Sequence, residues 1–434
     1  MSNAKILKSV TGMPDILPED ENLWNTFLDT SREVLRSYGY KRIMTPVVEP
    51  TGLFVRGIGE VTDVVEKEMY SFTDQLNGEE LSLRPENTAG VVRSVIEHNL
   101  AYNAQPKLWY FGEMFRHERP QKGRYRQFHQ LGIEAFGAPG PEIDAEQILL
   151  ARRLFEELGI LPLKLEINTL GTAPERARHR EALIAHFEAH RSELDEDAAR
   201  RLYSNPLRIL DTKNPALAGV VESAPKLIDY LGAESLAFFD RLRSLLDACA
   251  VDYEVNPRLV RGLDYYSHTV YEWITDKLGA QATVCGGGRY DALVEMLGGK
   301  PTPGVGFAIG VERVLEVMRQ TGYEDNEPET EFYVMHTGGA TTPYAMNLAE
   351  IFRDAGYDVT MHPSVASFKS QMRRADASGA SYALICGESE LAGGTVTVKK
   401  MFGQEGERFL VQESVPVKDA IEYFVKIEDL DQKE

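Results

Sequence analysis

In the run FRHERPQKGRYRQFHQ, from Phe115 to Gln130, five permanent cations fall within eleven residues: Arg116, Arg119, Lys122, Arg124 and Arg126, opposed only by Glu118. Like charges this close repel unless an anion neutralises them, and the planar fork of arginine matches phosphate oxygens better than a lysine point charge does. A phosphate-rich ligand is the chemistry this spacing suits. The central PQKG is turn-like, so the run reads as strand, loop, strand, with cations at the strand ends and at the tip. One arginine could then hold a nucleotide while others meet a larger polyanion. The alternative is a solvated surface hairpin whose charges do little.

Other segments carry chemistry of their own. In LVRGLDYYSHTVYEW, Arg261, Asp264, Tyr265 and Tyr266 lie within six residues on what reads as a half-buried strand, where polar groups must be paired or used. A structural Arg261–Asp264 bridge beside core tyrosines is the plainer reading. In LRPENTAG, Arg84 and Glu86 follow a strand, and Thr88 is placed to cap the next helix. The glycines 286–288 before Arg289 and Tyr290 permit close backbone approach, but lack the dinucleotide-binding spacing and the phosphate-loop lysine. In GVGFAIGVERVLEVM a glycine-rich strand runs into a helix beginning near Val311, which puts Arg313 in the first turn. A cation there opposes the helix dipole, an arrangement eased by a bound anion. His186 and His190 have metal-compatible spacing on a helix but no third ligand, so they read as a solvated face and no resident metal site is expected.

The surrounding chain must position these groups. Its 434 residues suit two or three domains. With 43% hydrophobic and 26% charged residues it reads as an ordinary globular protein. No apolar run exceeds the five residues Tyr382 to Cys386, against roughly 20 for a membrane span. The opening MSNAKILKSV has no apolar signal core, and Cys249, Cys285 and Cys386 show no paired spacing, so a cytoplasmic location with no membrane contact is expected. The balance of 47 basic against 67 acidic residues, net −20, confines any nucleic-acid contact to a local patch.

Apolar spacing predicts a helix over Glu19 to Tyr38, stopped at Gly39. KRIMTPVVEP, LSLRPE and KLWYFGEMFR then read as strands. Between Pro174 and Cys249 the chain turns helical, and from Val251 to Gly310 strands return. GYEDNEPE, from Gly322 to Glu329, reads as a linker. Beyond it EFYVMH, AMNLAEIFRDAG, YDVTMH, SFKSQMRRADASGA and YALICG alternate strand and helix as an α/β domain does. The expected organisation is a catalytic domain in two parts, 1–172 and 251–322, a helical insertion at 173–250, and an α/β domain at 330–434.

Taken together these segments closely resemble the histidyl-tRNA synthetase family of class II aminoacyl-tRNA synthetases, over nearly the whole chain. GYKRIMTPVVEP is similar to the dimer-forming first motif of the class, FRHERPQKGRYRQFHQLGIEAFG to the second and GVGFAIGVERV to the third. RGLDYY and GGGRYD resemble the two signatures of the histidine enzymes. RILDTKNP and SFKSQMRRADASGA are family-like too. One departure is Asn87, where many relatives have glycine after RPE. Asparagine tolerates left-handed backbone, so the turn is expected to survive.

The resemblance implies an α+β fold: an antiparallel class II catalytic sheet, a helical insertion and a C-terminal α/β anticodon-binding domain. It implies activation of L-histidine by ATP to histidyl-adenylate, transfer to the 3′ end of tRNA(His), Mg²⁺ on the polyphosphate, and a homodimer. Arg116, Arg261 and Arg313 would be the catalytic cations. Glu86, Thr88, Arg116, Gln130, Glu134, Arg261, Tyr265, Tyr266 and Tyr290 would bind histidine, and Arg116, Glu118, Arg124, Tyr125 and Arg313 would bind ATP. Gln121, Arg126, Lys369 and Arg373 would meet tRNA. Ten basic and sixteen acidic residues from Glu331 onward make any tRNA contact by the last domain a patch rather than a field. A non-catalytic paralogue serving as a regulatory subunit of histidine biosynthesis is the competing reading. Such a chain is expected to lack the terminal domain and to have eroded arginines. A generic nucleotide-binding α/β protein would leave the cations of Phe115 to Gln130 unexplained.

Overall fold

Leu23, Phe27, Val34 and Leu35 share one buried face of helix α1 (Glu21–Ser37), and Gly39, at φ +79°, turns the chain out of it. The computed structural model describes residues 6–59, 62, 64–121, 123–210, 212, 214–260, 265–279, 282–323, 330–401 and 412–431, the last five as backbone only. The chain divides into two units, Met1–Glu324 and Asp325–Glu434.

In the first unit α1 is followed by β1 (Lys41–Arg42), β2 (Val48–Pro50), α2 (Thr51–Ile58), β3 (Ser71–Thr73), β4 (Glu80–Leu83) and α3 (Thr88–Glu97). Next come the long strands β5 (Lys107–Phe115) and β6 (Gln127–Phe136), α4 (Glu142–Glu157) and β7 (Lys164–Thr169). Helices α5 (Ala173–Ala189), α6 (Glu196–Ser204), α7 (Ala218–Glu222) and α8 (Ala233–Ala248) precede β8 (Glu254–Val255) and β9 (Ser267–Ile274). The unit closes with β10 (Thr283–Arg289), α9 (Leu293–Met296), β11 (Gly304–Gly310) and α10 (Val311–Gln320).

Eight of these strands form one sheet in the order β1-β5-β6-β11-β10-β9-β7-β8, antiparallel except at its two outer pairs. One face carries the main core: Phe27 of α1, Leu154 and Phe155 of α4, Leu242 of α8 and Val314 of α10 pack on Ile133, Tyr271 and Ile309 of the strands. This layer leaves the opposite face to the candidate site.

KRIMTPVVEP, expected as one strand, is split into β1 and β2. Pro46 has no N–H for a ladder, and the buried Arg84 guanidinium takes up the Thr45 carbonyl at 3.1 Å and the Glu113 carbonyl at 2.8 Å. β1 therefore pairs with β5, whereas β2 pairs with β4 in a separate three-stranded sheet. The helical stretch also divides by packing. Leu183, Phe187, Leu202 and Val220 of α5, α6 and α7 form a core of their own, whereas Phe239, Leu242 and Leu246 of α8 join the main one.

In the second unit β12 (Phe332–His336), α11 (Thr341–Asp354), β13 (Val359–Met361), α12 (Phe368–Ala377) and β14 (Tyr382–Cys386) alternate, with β12 parallel to both neighbours. Helix α13 (Glu388–Gly393), antiparallel strands β15 (Thr395–Lys400) and β16 (Glu413–Pro416), and α14 (Ala420–Asp431) complete it. Phe352 of α11 and Phe424 of α14 bury one face of the sheet, and Ala375 of α12 packs on the other. Among the described residues no helix is long and apolar enough to cross a membrane.

Candidate active site

Strands alternate their side chains between faces, so β6 sends Leu131 and Ile133 into the main core and turns Phe128, Gln130 and Glu134 to the other side. Opposite them β11 offers Gly306, Ala308 and Gly310, paired with Glu134, Gly132 and Gln130. Small residues facing large ones leave a cavity of about 290 Å³.

Its floor is polar and buried. Glu134, 1% exposed, accepts hydrogen bonds from Thr88 Oγ1 at 2.7 Å and from the Tyr290 hydroxyl. Burial pushes its carboxyl from the ordinary 4.5 up to about 8; the hydrogen bonds from Tyr290 and Thr88 pull the other way, and nearby Glu86 adds to the rise. Glu86 is also raised by burial, against the backbone N–H groups of Ala89 and Thr88 that it accepts at 3.0 and 2.8 Å. The phenols of Tyr265 and Tyr290 are pushed well up by burial, so both remain hydrogen-bond donors at neutral pH. The Gln130 Oε1 is buried and has no hydrogen-bond donor among the described residues.

The rim is cationic. Arg116 donates from Nε to the Pro85 carbonyl at 2.9 Å and lies 5.4 Å over the Phe128 ring. Arg313 donates from Nε to Gly123 O at 3.0 Å and from Nη1 to Thr283 O at 2.8 Å. Burial, then the charges of Arg116 and Arg124, bring its pKa down from 12.5 to about 10. The hairpin tip thus folds back towards the third motif: Gln121 and Arg124 exchange backbone hydrogen bonds, and Gly123, at φ +70°, presents its carbonyl to Arg313. Arg124 pairs with Glu118.

The structure brings Glu86, Thr88, Arg116, Glu118, Arg124, Tyr125, Gln130, Tyr265, Tyr266, Tyr290 and Arg313 to the lining of this one cavity, and sets Glu134 behind it, hydrogen-bonded to Thr88 and Tyr290. Arg261 lies outside the described residues, as do Lys122 and Asp264. Gln121 is exposed near the hairpin tip. Arg126 turns inward, donating to the carbonyls of Glu118 at 2.9 Å and Thr11 at 3.4 Å. Lys369 and Arg373 are exposed on α12 in the second unit.

Two local expectations change. Thr88 is the first residue of α3 and not its cap; its hydroxyl is turned to Glu134, and the Glu86 carboxylate takes over the free N–H groups of the helix start. Asn87 has φ −121°, so left-handed tolerance plays no part, and its Oδ1 accepts from Thr45 Oγ1 at 2.6 Å. Sequence reasoning missed Tyr110 and Glu272, which also line the cavity. Their signal was positional: Tyr110 is paired with Gly132, whose missing side chain leaves room for the phenol, and Glu272 puts a carboxylate between the aromatic residues Tyr271 and Trp273 of β9. His186 Nε2 donates to Val220 O and His190 Nδ1 to His186 O, each at 2.9 Å.

The sequence profile of histidyl-tRNA synthetase matches residues 12–314, and that of an anticodon binding domain matches residues 331–427. The chain belongs to the histidyl-tRNA synthetase family. It is 58% identical over 425 residues to a histidine–tRNA ligase of Burkholderia mallei (strain NCTC 10229), covering 96% of this chain and 95% of that protein. To one of Paraburkholderia phymatum it is 57% identical over 424 residues, with the same coverage. Apo S. aureus histidyl-tRNA synthetase superposes with a TM-score of 0.80 at 35% identity, over 96% of this chain and 100% of that one. An ATP phosphoribosyltransferase regulatory subunit/histidyl-tRNA synthetase of Bacillus halodurans gives 0.64 at 22% identity, over 89% and 99%, a likeness of fold alone. The class II catalytic fold and C-terminal anticodon-binding domain of this synthetase family are therefore both present.

The raised Glu134 carboxyl makes a prediction for the ligand-free synthetase. The folded state holds a proton that the unfolded chain releases, so the stabilisation present below about pH 4.5 is lost as pH rises to about 8, at ~1.4 kcal/mol per pH unit. Glu134→Gln, which cannot ionise, should melt with a shallower fall in Tm between about pH 5 and 8 than the unaltered protein. Melting curves across that range check it; equal slopes would count against a buried, protonated Glu134.

Proposed function

We propose that the chain is a cytoplasmic histidine–tRNA ligase that works in two steps on the cavity described. The carboxylate of L-histidine attacks the α-phosphorus of ATP, forming a mixed anhydride as the bond to the pyrophosphate oxygen breaks. The terminal 3′ ribose hydroxyl of tRNA(His) then attacks the acyl carbon and releases AMP. The first step brings anions together, so the contribution required of the protein is positioning and positive charge. The observation that carries this reading is the meeting of Arg116, Arg124 and Arg313 in one cavity, with Glu134 behind it bonded to the lining residues Thr88 and Tyr290.

The roles follow from position. Arg116 would hold the α-phosphate and the substrate carboxylate, Arg313 the γ-phosphate, and Arg124, Tyr125 and Glu118 the nucleotide. Arg261 would offset charge at the α-phosphate during attack. Glu86, Thr88, Gln130, Glu134, Tyr265, Tyr266 and Tyr290 would receive histidine. Glu134, held towards its protonated form by burial, and the Tyr265 phenol supply donors, and Gln130 Oε1 supplies an acceptor, a set suited to an imidazole and an amino group.

Among the described residues no three His, Cys, Asp or Glu side chains come together as metal ligands. Mg²⁺ usually takes one or two carboxylates and otherwise phosphate oxygens and water, and Glu272 and Glu312 on the cavity wall fit that demand. Bound there with ATP, it would neutralise the leaving pyrophosphate.

For tRNA, Gln121 at the hairpin tip would meet the acceptor end, and Lys369 and Arg373 on α12 would meet the anticodon arm. Arg126 is better suited to fixing the hairpin, given its two backbone acceptors. A homodimer is supported by Met44 and Val48, exposed apolar residues of the first-motif segment. The regulatory-subunit reading loses support because Arg116 and Arg313 remain in the cavity and the anticodon-domain match is retained. Charging of purified tRNA(His) with labelled histidine tests the proposal: ATP-dependent, acid-stable label on the tRNA is expected. Its absence at any enzyme concentration would refute it.

A further inference from the structure

Tyr290 reaches the cavity floor from the GGGRYD segment, yet its neighbour Arg289 points the other way and is wholly buried, at 0% exposure. Each of the five guanidinium donors is used. Nε donates to Asp144 Oδ2 at 3.2 Å and Nη2 to Asp144 Oδ1 at 2.5 Å, a two-pronged pair with the first turn of α4. Nη1 donates to Ala138 O at 3.0 Å and to Asp291 Oδ1 at 3.1 Å, and Nη2 donates to Gly140 O at 2.8 Å. The Phe238 ring of α8 covers the guanidinium at 5.3 Å.

Ion pairs this buried contribute little net stability against an apolar replacement; their best-attested use is to specify one arrangement of the chain. The arrangement here is the exit of β10. The ladder between β10 and β9 shifts register between Gly288 and Arg289, a place where a strand end has more than one way to continue. On the far side, Asp291 N donates to Ser267 Oγ at 3.3 Å and Asp291 Oδ1 accepts from Gly304 N at 3.3 Å. Tyr290 is therefore anchored on both flanks, with its own N–H on Gly304 O at 2.7 Å. Neither Asp144 nor Arg289 lines the cavity.

We propose that Arg289, through its buried pairing with Asp144 and Asp291, is a positioning residue for histidine recognition: it sets the Tyr290 hydroxyl against Glu134 and acts on substrate only through that phenol. The inference rests on the functional reading above and names a determinant within the same site.

The test is a double-mutant cycle read by histidine-dependent pyrophosphate exchange, using Arg289→Lys, Tyr290→Phe and the two combined. Lysine keeps the charge but cannot make the forked contact. Arg289→Lys should raise the KM for histidine about tenfold while leaving the KM for ATP near its starting value, and should add little in the Tyr290→Phe background. A variant that raised both KM values alike, or whose effect added in full to that of Tyr290→Phe, would overturn the proposal. Should Arg289→Lys not fold, Asp144→Asn, which keeps the side-chain shape and removes the charge, enters the same cycle with the same expectations. No exchange by the unaltered protein would sink the functional reading itself. Exchange with an additive cycle would sink this inference alone.

Discussion

Arg313→Ala is expected to lower histidine-dependent pyrophosphate exchange by about three orders of magnitude or more with no loss of thermal stability. The two halves of this expectation come from the same electrostatics. Arg313 is held in a partly buried position facing Arg116 and Arg124, and its pKa is brought down to about 10. A cation whose pKa is lowered on folding is less favourable in the folded than in the unfolded chain while both are charged. The penalty here is on the order of 3 kcal/mol at neutral pH. Removing the side chain relieves that penalty and forfeits the hydrogen bonds to Gly123 O and Thr283 O, each worth about 1 kcal/mol net, somewhat more for a charged donor. The Tm should therefore be unchanged or slightly higher. In the role proposed for it the same cation would face the phosphate oxygens of ATP, so its loss would fall on the reaction. Exchange rates and melting curves on one preparation decide it: a large drop in Tm with a modest loss of activity would make Arg313 a structural residue.

Gly306→Ala should abolish measurable histidine binding, with affinity falling by about a hundredfold or more, although it adds a single methyl group. A Cβ at this position would collide with the Glu134 carboxylate and with the Ile133 carbonyl oxygen of the paired strand. The carbonyl belongs to the ladder and cannot move far, so the carboxylate must leave the floor and break its contacts with Thr88 and Tyr290. Overpacking of this kind costs ~1–3 kcal/mol of stability, which a unit with so large a core should survive. Calorimetric titration with histidine, beside a circular dichroism melt, checks both parts. Unchanged histidine affinity in a folded variant would show that Glu134 does not read the amino acid.

Much of this was legible in the residues. The cations of Phe115 to Gln130 and the Arg313 helix start announced an anion site, because so dense a positive run in an acidic chain repels itself until an anion sits among its members. The strand-to-helix passage at Val311 was legible from small residues giving way to helical spacing. What escaped notice was set by partners distant in sequence. Nothing local says that Arg84 takes the Thr45 carbonyl and splits a strand, or that α8 joins the main core while α5 to α7 make their own. Thr88 looked like a cap because its type suits one, whereas its hydroxyl is claimed by Glu134, forty-six residues on. Tyr110 was hidden for the same reason: only the register of β5 on β6 sets it over Gly132. The roles proposed for Arg116 and Glu134 came from resemblance to a family; the structure puts Arg116 on the cavity wall and buries Glu134 behind Thr88 and Tyr290.

The central claim is that this cavity transfers the adenylyl group of ATP to one particular amino acid, releasing pyrophosphate. The measurement that meets it most directly is ATP–pyrophosphate exchange by the unaltered protein, run separately with each of the genetically encoded amino acids. Exchange that depends on L-histidine and is at background with the rest is the predicted result. Exchange supported by a different amino acid, or by none, would contradict it.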